Sequence, residues 1–316
     1  MTTFKEIRGT AIRSASTDPT NPETGQIWYN STTAQLKGYQ TGGTWASGSN
    51  MATARQVLAG AGTQTAGLAF GGYTGTAYTN ATEEYDGSTW TAGGNLGTAR
   101  GTLAGCGTQT VALGAGGYAT GVTSATEEYD GTSWTAGGSL GTARDRPAGA
   151  GTQTVAAVFG GFTTANTNAT EEYDGTAWTA GGNMNTARRY LGGCGLQTAA
   201  LAFGGVAGAN VPNTEEYDGT SWTASGNMNI ARRYLTGCGT QTLALGFGGA
   251  FPLTASTEEY NGTSWTVGGN LGIARRALGG AGTQTAGLAF GGIITAVTAA
   301  TEEYTSGLQT RVINIS

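Results

Sequence analysis

The sequence predicts an all-β protein, a six-bladed β-propeller with four antiparallel strands per blade and a short β-rich N-terminal extension. One unit of 43 to 45 residues recurs six times in the 316-residue chain. Within each unit, short apolar runs bounded by Gly, Asn, Asp and Thr recur about every ten residues, and no run has a helical period. Four strands in a unit of this length are typical of one propeller blade, and six blades are enough to close a ring.

Residues that recur in phase mark the repeat. A tryptophan recurs at Trp45, Trp90, Trp134, Trp178, Trp222 and Trp265. An Ala-Arg pair follows each tryptophan, with its arginine at Arg55, Arg100, Arg144, Arg188, Arg232 and Arg275. Each unit also carries a Gly-Gly pair followed by Glu-Glu-Tyr. Because these residues recur in near-identical copies, we interpret the charged ones as repeated ion pairs or hydrogen bonds between blades, and the aromatic ones as core residues.

Four strands are predicted in each unit. Strand a is read from "RRYLGGCG", strand b from "TAALAFGG", strand c from "TEEYDG" and strand d from "SWTAGG". The turn between strands c and d carries an Asp-Gly pair, whose geometry both residues tolerate. Its first residue is Asp86, Asp130, Asp174, Asp218 and, in the fifth unit, Asn261.

The composition fits a folded chain only if small residues fill the core. Large aliphatic residues are scarce, which is typical of disorder, but charged residues are only 11% of the chain and the net charge is −5. The chain contains 58 glycines. Glycine and alanine can form a core where flat sheets press closely against each other.

The ends of the chain indicate how the ring closes. Residues 1–36 are predicted to form an attachment or docking segment, residues 37–304 the propeller, and residues 305–316 a C-terminal strand or tail. The sixth unit has no tryptophan after its strand c, so the strand that carries Trp45 is the favoured strand d of the last blade. The alternative closing strand is Thr310–Ser316, whose alternating residue pattern is typical of a β-strand. Either closure would remove exposed sheet edges.

Several function classes are disfavoured. The chain has no histidine, which removes the commonest general base and the imidazole metal ligands, and we expect neither an enzyme nor a cofactor or metal site. Cys106, Cys194 and Cys238 occupy a repeat position that is alanine in the other units, so we interpret them as small core residues. A pI near 4.8 and only two lysines argue against nucleic-acid binding. The sequence has no apolar run long enough to indicate membrane insertion and no apolar N-terminal segment to indicate export.

The variation among the six units is concentrated in one place. The loops between strands b and c differ in sequence, whereas the framework repeats. In an antiparallel blade these loops share a face with the crossings from strand d to the next strand a. This face is predicted to bind a ligand or partner. Its candidate residues are Tyr73, Tyr78, Tyr118, Phe162 and Phe251 on the loops, with Asp145, Arg146, Arg189, Tyr190, Arg233, Tyr234 and Arg276 nearer the channel.

The order of Gly-Gly, Tyr, Trp and Ala-Arg resembles the kelch repeat over roughly Leu36 to Tyr304. The resemblance implies a kelch-like propeller. Kelch-type copper oxidases use a site that includes histidine, so that activity does not carry over to this chain.

The segment "DPTNPETGQIWYNSTTAQLK" resembles one near the N-terminus of tail-fibre and other virion proteins of tailed bacteriophages, especially marine and cyanobacterial ones. Kelch-like repeats follow that segment there, as they do here. The resemblance implies a virion structural protein on the particle surface, with a tail appendage favoured over the head. The N-terminal segment would attach it to other virion proteins.

Two functions remain open on this evidence. In the first, the protein is a receptor-binding or adhesion module whose varied face binds a host glycan or surface protein. In the second, it is a passive decoration or connector with no host ligand. A homo-oligomer is compatible with either function, although the sequence contains no coiled-coil pattern.

Overall fold

The computed structural model describes residues 12–20 and 26–312 and confirms the predicted all-β, six-bladed propeller. Within those residues, every regular element is a β-strand. The chain divides into two compact units: a larger one, Thr44–Thr305, and a smaller one formed by Met1–Gly43 and Ser306–Ser316.

The smaller unit contains β1 (Arg13–Ala15), β2 (Ile27–Asn30) and the start of β3 (Gln35–Gly48). β1 is parallel to β2, and β2 and β3 form an antiparallel hairpin around the sequence "NSTTA". The carboxylate of Asp18 accepts hydrogen bonds from Lys37, Trp28 and Asn30. The bond from Lys37, then those from Asn30 and Trp28, lowers the pKa of Asp18 to about 2. Residues 1–11 and 21–25 of the predicted attachment segment lie outside the described residues.

Each of the first five blades is an antiparallel sheet in the order a, b, c, d. Blade 1 contains β4 (Ala59–Gly62), β5 (Gly67–Phe70), β6 (Thr82–Tyr85) and β7 (Trp90–Ala92). Blade 2 contains β8 (Ala104–Gly107), β9 (Ala112–Ala115), β10 (Thr126–Tyr129) and β11 (Trp134–Ala136). Blade 3 contains β12 (Ala148–Gly151), β13 (Ala156–Phe159), β14 (Thr170–Tyr173) and β15 (Trp178–Ala180).

Blades 4 and 5 follow the same pattern. Blade 4 contains β16 (Gly192–Leu196), β17 (Ala199–Phe203), β20 (Thr214–Tyr217) and β21 (Trp222–Ser225). Its b–c loop adds a small hairpin of β18 (Val206–Ala207) and β19 (Ala209–Asn210). Blade 5 contains β22 (Thr236–Gly239), β23 (Ala244–Phe247), β24 (Thr257–Tyr260) and β25 (Trp265–Val267).

The sixth blade combines both ends of the propeller. It contains β26 (Gly279–Gly282), β27 (Ala286–Phe290) and β28 (Thr301–Val312), with β3 as the hydrogen-bonded neighbour of β28. Trp45 lies in β3, and its Nε1 donates to Thr257 Oγ1 at 2.9 Å, as the tryptophans of the other strands d do to the preceding blade. Thr310 to Val312 continue β28 itself.

Strand a begins later than the sequence predicts. In blade 4 the predicted strand opens at Arg188, whereas β16 opens at Gly192. The cause is Tyr190, which has a left-handed backbone with φ of 55°. Its N–H donates to the carbonyl of Arg146 in the preceding blade, so the backbone turns away from strand geometry before Gly192.

The core lies between adjacent blades and explains the demand for small residues. Phe70 of blade 1 contacts Trp134 of blade 2, with ring centroids 4.7 Å apart. A Cβ added to Gly60 of blade 1 would lie 2.5 Å from the carbonyl oxygen of Gly280 in blade 6. Strands a approach so closely there that glycine is the residue that fits.

Candidate functional site

Each blade contains a buried arginine that links the start of its strand a to its strand c. Each of the six pairs with the first glutamate of its own strand c at 2.5 to 3.2 Å, so the predicted ion pairs lie within blades rather than between them. The reason is position: the arginine precedes strand a and reaches across the sheet. Arg188 also donates to the carbonyls of Gly204 and Asn213, at the two ends of the b–c loop. The arginine therefore anchors the loop that varies.

The second glutamate joins neighbouring blades. The hydroxyl of Tyr173 donates to Glu128 of the preceding blade at 2.5 Å. A glutamine in the a–b turn makes a further link: Gln153 Nε2 donates to the carbonyls of Ala112 and Tyr129, also in the preceding blade. The same glutamine bonds occur in all six blades. The sequence interpretation missed this glutamine, although its recurrence in every unit was a usable signal.

A ring of backbone hydrogen bonds surrounds the channel. In every blade the second residue after the buried arginine has a left-handed backbone, with φ between 49° and 59°. Its N–H donates to the carbonyl of its counterpart in the preceding blade at 2.7 to 3.2 Å. The members are Val57, Thr102, Arg146, Tyr190, Tyr234 and Ala277. A positive φ is costly for side chains of these types, and the closed ring of bonds offsets that cost.

The b–c loops and the d–a crossings meet on one face, which we call the variable face. A short antiparallel bridge joins loop and crossing in every blade. The bridged pairs are Gln56 with Tyr73, Gly101 with Tyr118, Asp145 with Phe162, Arg189 with Val206, Arg233 with Ala250, and Arg276 with Ile293. The candidate residues of the sequence analysis are therefore on adjoining segments.

Blades 1 and 2 form a tyrosine patch of Tyr73, Tyr78 and Tyr118. The rings of Tyr73 and Tyr78 have centroids 5.2 Å apart, and those of Tyr78 and Tyr118 5.6 Å apart. All three are partly exposed. Burial, and then the nearby charge of Asp145, raises the pKa of Tyr78. The three tyrosines present ring surface and hydroxyl groups on this face.

Blades 3 to 6 form an arginine patch, in which four guanidinium groups stack against four aromatic rings. Its members are Arg146, Arg189, Arg233, Arg276, Phe162, Tyr190, Tyr234 and Phe251. Arg189 lies 4.6 Å from the Phe162 centroid and Arg146 lies 4.9 Å from that of Tyr190. Arg233 lies 4.0 Å from the Phe251 centroid. These are cation–π distances.

One aromatic contact joins the two halves of the arginine patch. The ring centroids of Tyr190 and Tyr234 are 3.7 Å apart, where blades 4 and 5 meet at the channel. Burial, and then the hydrogen bond with Tyr234, raises the pKa of Tyr190. The channel is lined by the first residues of all six strands a and encloses a cavity of about 140 Å³.

The arginines of the patch differ in how they are neutralised. Arg146 pairs with Asp145 at 2.6 Å, and Asp145 also accepts a hydrogen bond from Thr102. Arg189 donates to Asn166 at 3.1 Å. In residues 12–20 and 26–312, Arg233 and Arg276 have no carboxylate partner and make no side-chain hydrogen bond. Two guanidinium groups thus stack on rings without a counter-charge.

Two candidate residues differ sharply in exposure. Asp145 is buried, with only 1% of its surface exposed, and burial raises the pKa of its carboxyl group. Its carboxylate accepts a hydrogen bond from Thr102 and pairs with Arg146. Phe251 is 51% exposed and offers the most accessible ring of the arginine patch. Asn166, which positions Arg189, is a residue of this face that the sequence interpretation missed.

Comparison of the chain with models of known protein families and with curated proteins gives no match. In the described part of the chain, no group of three or more His, Cys, Asp or Glu residues is arranged to hold a metal ion. No helix there is long and apolar enough to cross a membrane.

Proposed function

We propose that this propeller is a virion structural protein of a tailed bacteriophage and that its variable face binds the host surface. The observation that carries this proposal is the convergence of the divergent residues. Residue types found in some blades and not in others meet in the arginine patch, where each guanidinium group lies within 6 Å of two of the four rings. Sequence variation without selection for binding would not be expected to produce such a cluster.

The rigidity of the scaffold supports a recognition role. Recognition loops work best when a fixed framework holds them, because less conformational entropy is lost on binding. Here Arg188 bonds both ends of its loop, and Glu215 is its ion-pair partner at 3.1 Å. Burial lowers the pKa of Arg188 to about 10, so it remains charged at neutral pH.

The sequence resemblances support the virion setting. The repeat resembles kelch repeats, and the segment from Asp18 to Lys37 resembles an N-terminal segment of tail-fibre and related phage proteins. On this proposal the N-terminal segment contacts other virion proteins and the propeller is displayed outward, on a tail appendage.

Two measurements on the source virus test the proposal. Gold-labelled antibody against the chain, viewed by electron microscopy, should mark the tail tip or fibres. Purified protein added before infection should compete with adsorption of the virus to its host. The absence of label on intact particles would contradict display, and full adsorption in the presence of excess protein would contradict attachment.

A second candidate, a connector or decoration protein, is favoured by one observation. The a–b hairpins of blades 2 to 5, at the face opposite the variable face, form a row with one apolar side chain each at or beside the turn, 45% to 56% exposed. These are Val111, Val155, Leu196 and Leu243. Such a row fits a contact with another virion protein. A virus that lacks the gene and assembles complete particles that fail to adsorb favours attachment, whereas incomplete particles favour the connector.

A further inference from the structure

We infer that the arginine patch binds an acidic polysaccharide, with anionic groups of successive sugar units paired to guanidinium groups of successive blades. The inference rests on the proposed attachment function and names the class of its ligand. The shared chemistry is a repeating carboxylate or sulfate on a sugar chain.

The first argument is local charge. The six b–c loops, residues 72–81, 117–125, 161–169, 205–213, 249–256 and 292–300, contain no Asp or Glu. Apart from the buried arginines, each of which has its glutamate, the d–a crossings add four arginines and a single acid, Asp145. The variable face is therefore positive on a chain whose net charge is −5. A positive surface on an acidic protein attracts anions locally.

The second argument is the state of the guanidinium groups. A guanidinium group that stacks on a ring uses its flat face, so its N–H groups, which lie in the plane, stay available to an anion. Arg233 stacks on Phe251 at 4.0 Å, and Arg276 lies 5.6 Å from the same ring. Neither has a carboxylate partner in the described residues. The stacking fixes these side chains before a ligand arrives, which lowers the entropic cost of binding.

The third argument is repetition, and it selects the kind of anion. Arg189, Arg233 and Arg276 occupy one repeat position, each at the bridge between crossing and loop, on blades 4, 5 and 6. Cations that repeat along an arc match a polymer with one anionic group per unit. A folded protein presents its acidic groups at irregular positions. The exposed ring of Phe251 adds an apolar surface of the kind that packs on the face of a sugar.

Nucleic acid, another repeating anion, fits less well. Binding to its phosphate backbone depends on a broadly basic domain, and this chain has a pI near 4.8 and two lysines. A carboxylated or sulfated sugar chain needs only the local row of arginines.

Binding of the full chain to defined polymers tests the inference. The probes are polygalacturonate, dextran sulfate, neutral dextran, polyglutamate and single-stranded DNA. We expect binding to polygalacturonate or to dextran sulfate, weakening as salt rises from about 0.05 to about 0.5 M because ions screen the pairing. The stronger of the two identifies the anionic group as carboxylate or sulfate. Equal binding to neutral dextran, or binding to polyglutamate or DNA alone, would overturn the inference.

A triple variant, Arg189→Gln with Arg233→Gln and Arg276→Gln, tests the residues. Glutamine is tolerated at this position, because Gln56 occupies it in blade 1. We expect affinity for the acidic polymer to fall at least about tenfold, the effect of losing one or more charge-assisted hydrogen bonds. The matched control introduces the same residue at exposed sites on three outer strands, as Thr135→Gln, Thr179→Gln and Thr223→Gln, and should bind like the wild type. Unchanged affinity in the arginine variant would refute the assignment.

The proposed attachment function and the proposed ligand class can be tested separately. If the purified wild type competes with virus adsorption and the arginine triple variant competes equally well, attachment stands and the acidic-polysaccharide inference fails. If the wild type binds the acidic polymer through these arginines but does not compete with adsorption, the ligand class stands and host attachment fails.

Discussion

Tyr85 of the first blade donates its hydroxyl hydrogen bond to Glu303 of the last blade, 218 positions later in the chain. The same bond joins each of the other five blades to the one before it. The junction where the ring closes therefore uses the same chemistry as every internal junction. The covalent chain also joins these two blades, because β3, the neighbour of β28 in blade 6, continues through the crossing into β4 of blade 1.

Replacing this tyrosine should weaken the closing junction. We expect Tyr85→Phe to lower the free energy of unfolding by about 1 to 3 kcal/mol, because it leaves the partly buried carboxylate of Glu303 without its donor. Urea denaturation followed by tryptophan fluorescence measures the change. Tyr173→Phe removes the equivalent bond at an internal junction and should cost a similar amount. No loss in the Tyr85 variant would show that closure does not depend on this bond.

The recurring glutamine should matter as much as the tyrosine. Gln153→Ala removes two hydrogen bonds to blade 2, to the carbonyl oxygens of Ala112 at 3.1 Å and Tyr129 at 2.6 Å. We expect a loss of about 1 to 3 kcal/mol in unfolding free energy, since two carbonyls in the interface lose their donor. Thr179→Ala, at an exposed site on an outer strand, is the control and should change stability little. A Gln153 variant as stable as this control would contradict the role.

The repeating part of this fold could be predicted from sequence because period and turn chemistry are local. The Asp-Gly pairs are one case: Asp130 accepts from the backbone N–H groups of Thr132 and Ser133, and Gly131 has φ of 89°. The shared face of loops and crossings also followed from alternating strand direction alone.

Side-chain partners between blades could not be predicted in the same way. Whether Arg188 reaches Glu215 in its own blade or a glutamate in a neighbour depends on how the blades are inclined, which the period does not fix. The start of strand a depends on Tyr190, whose left-handed backbone lets its N–H donate to Arg146 of the preceding blade. The pairing of Arg233 with Phe251 likewise depends on a loop conformation. Each of these features is set by long-range packing.

The buried ion pair of each blade should be sensitive to loss of one partner. We expect Arg188→Met to cost about 3 to 5 kcal/mol, because Glu215 is left as a buried charge without its counter-ion. Adding Glu215→Gln removes that charge and should recover part of the loss. Unfolding free energies of the wild type, the two single variants and the double variant form a double-mutant cycle, which measures the interaction between the two residues. Additive losses would show that the two residues do not interact energetically.

High pH should destabilise the propeller through its buried tyrosines. Burial, and then the hydrogen bond to glutamate, raises the pKa of Tyr129, Tyr173, Tyr217 and Tyr260 to about 12. In the unfolded chain these hydroxyls ionise near pH 10. Their contribution to stability is therefore fully present below pH 10 and is lost as the pH rises towards 12.

Urea midpoints measured from pH 8 to pH 11 test this dependence. The buried arginines, whose pKa burial lowers, act in the opposite sense, so a comparison between variants is needed. Tyr173→Phe removes one ionisable hydroxyl and should flatten the decline relative to the wild type. An identical slope in both proteins would show that Tyr173 does not contribute to the alkaline transition.

The thiols of Cys194 and Cys238 should be unreactive in the folded protein. Both are buried, and burial raises the pKa of Cys194 to about 12 and that of Cys238 well above its ordinary value. We expect neither to be alkylated by iodoacetamide at pH 8 until denaturant unfolds the chain, as mass spectrometry of labelled peptides can show. Cys194→Ala should cost less than about 1.5 kcal/mol, because Ala150 fills the same repeat position in blade 3. Rapid labelling of the native protein, or a much larger loss of stability, would mean that the sulfur does more than fill space between the blades.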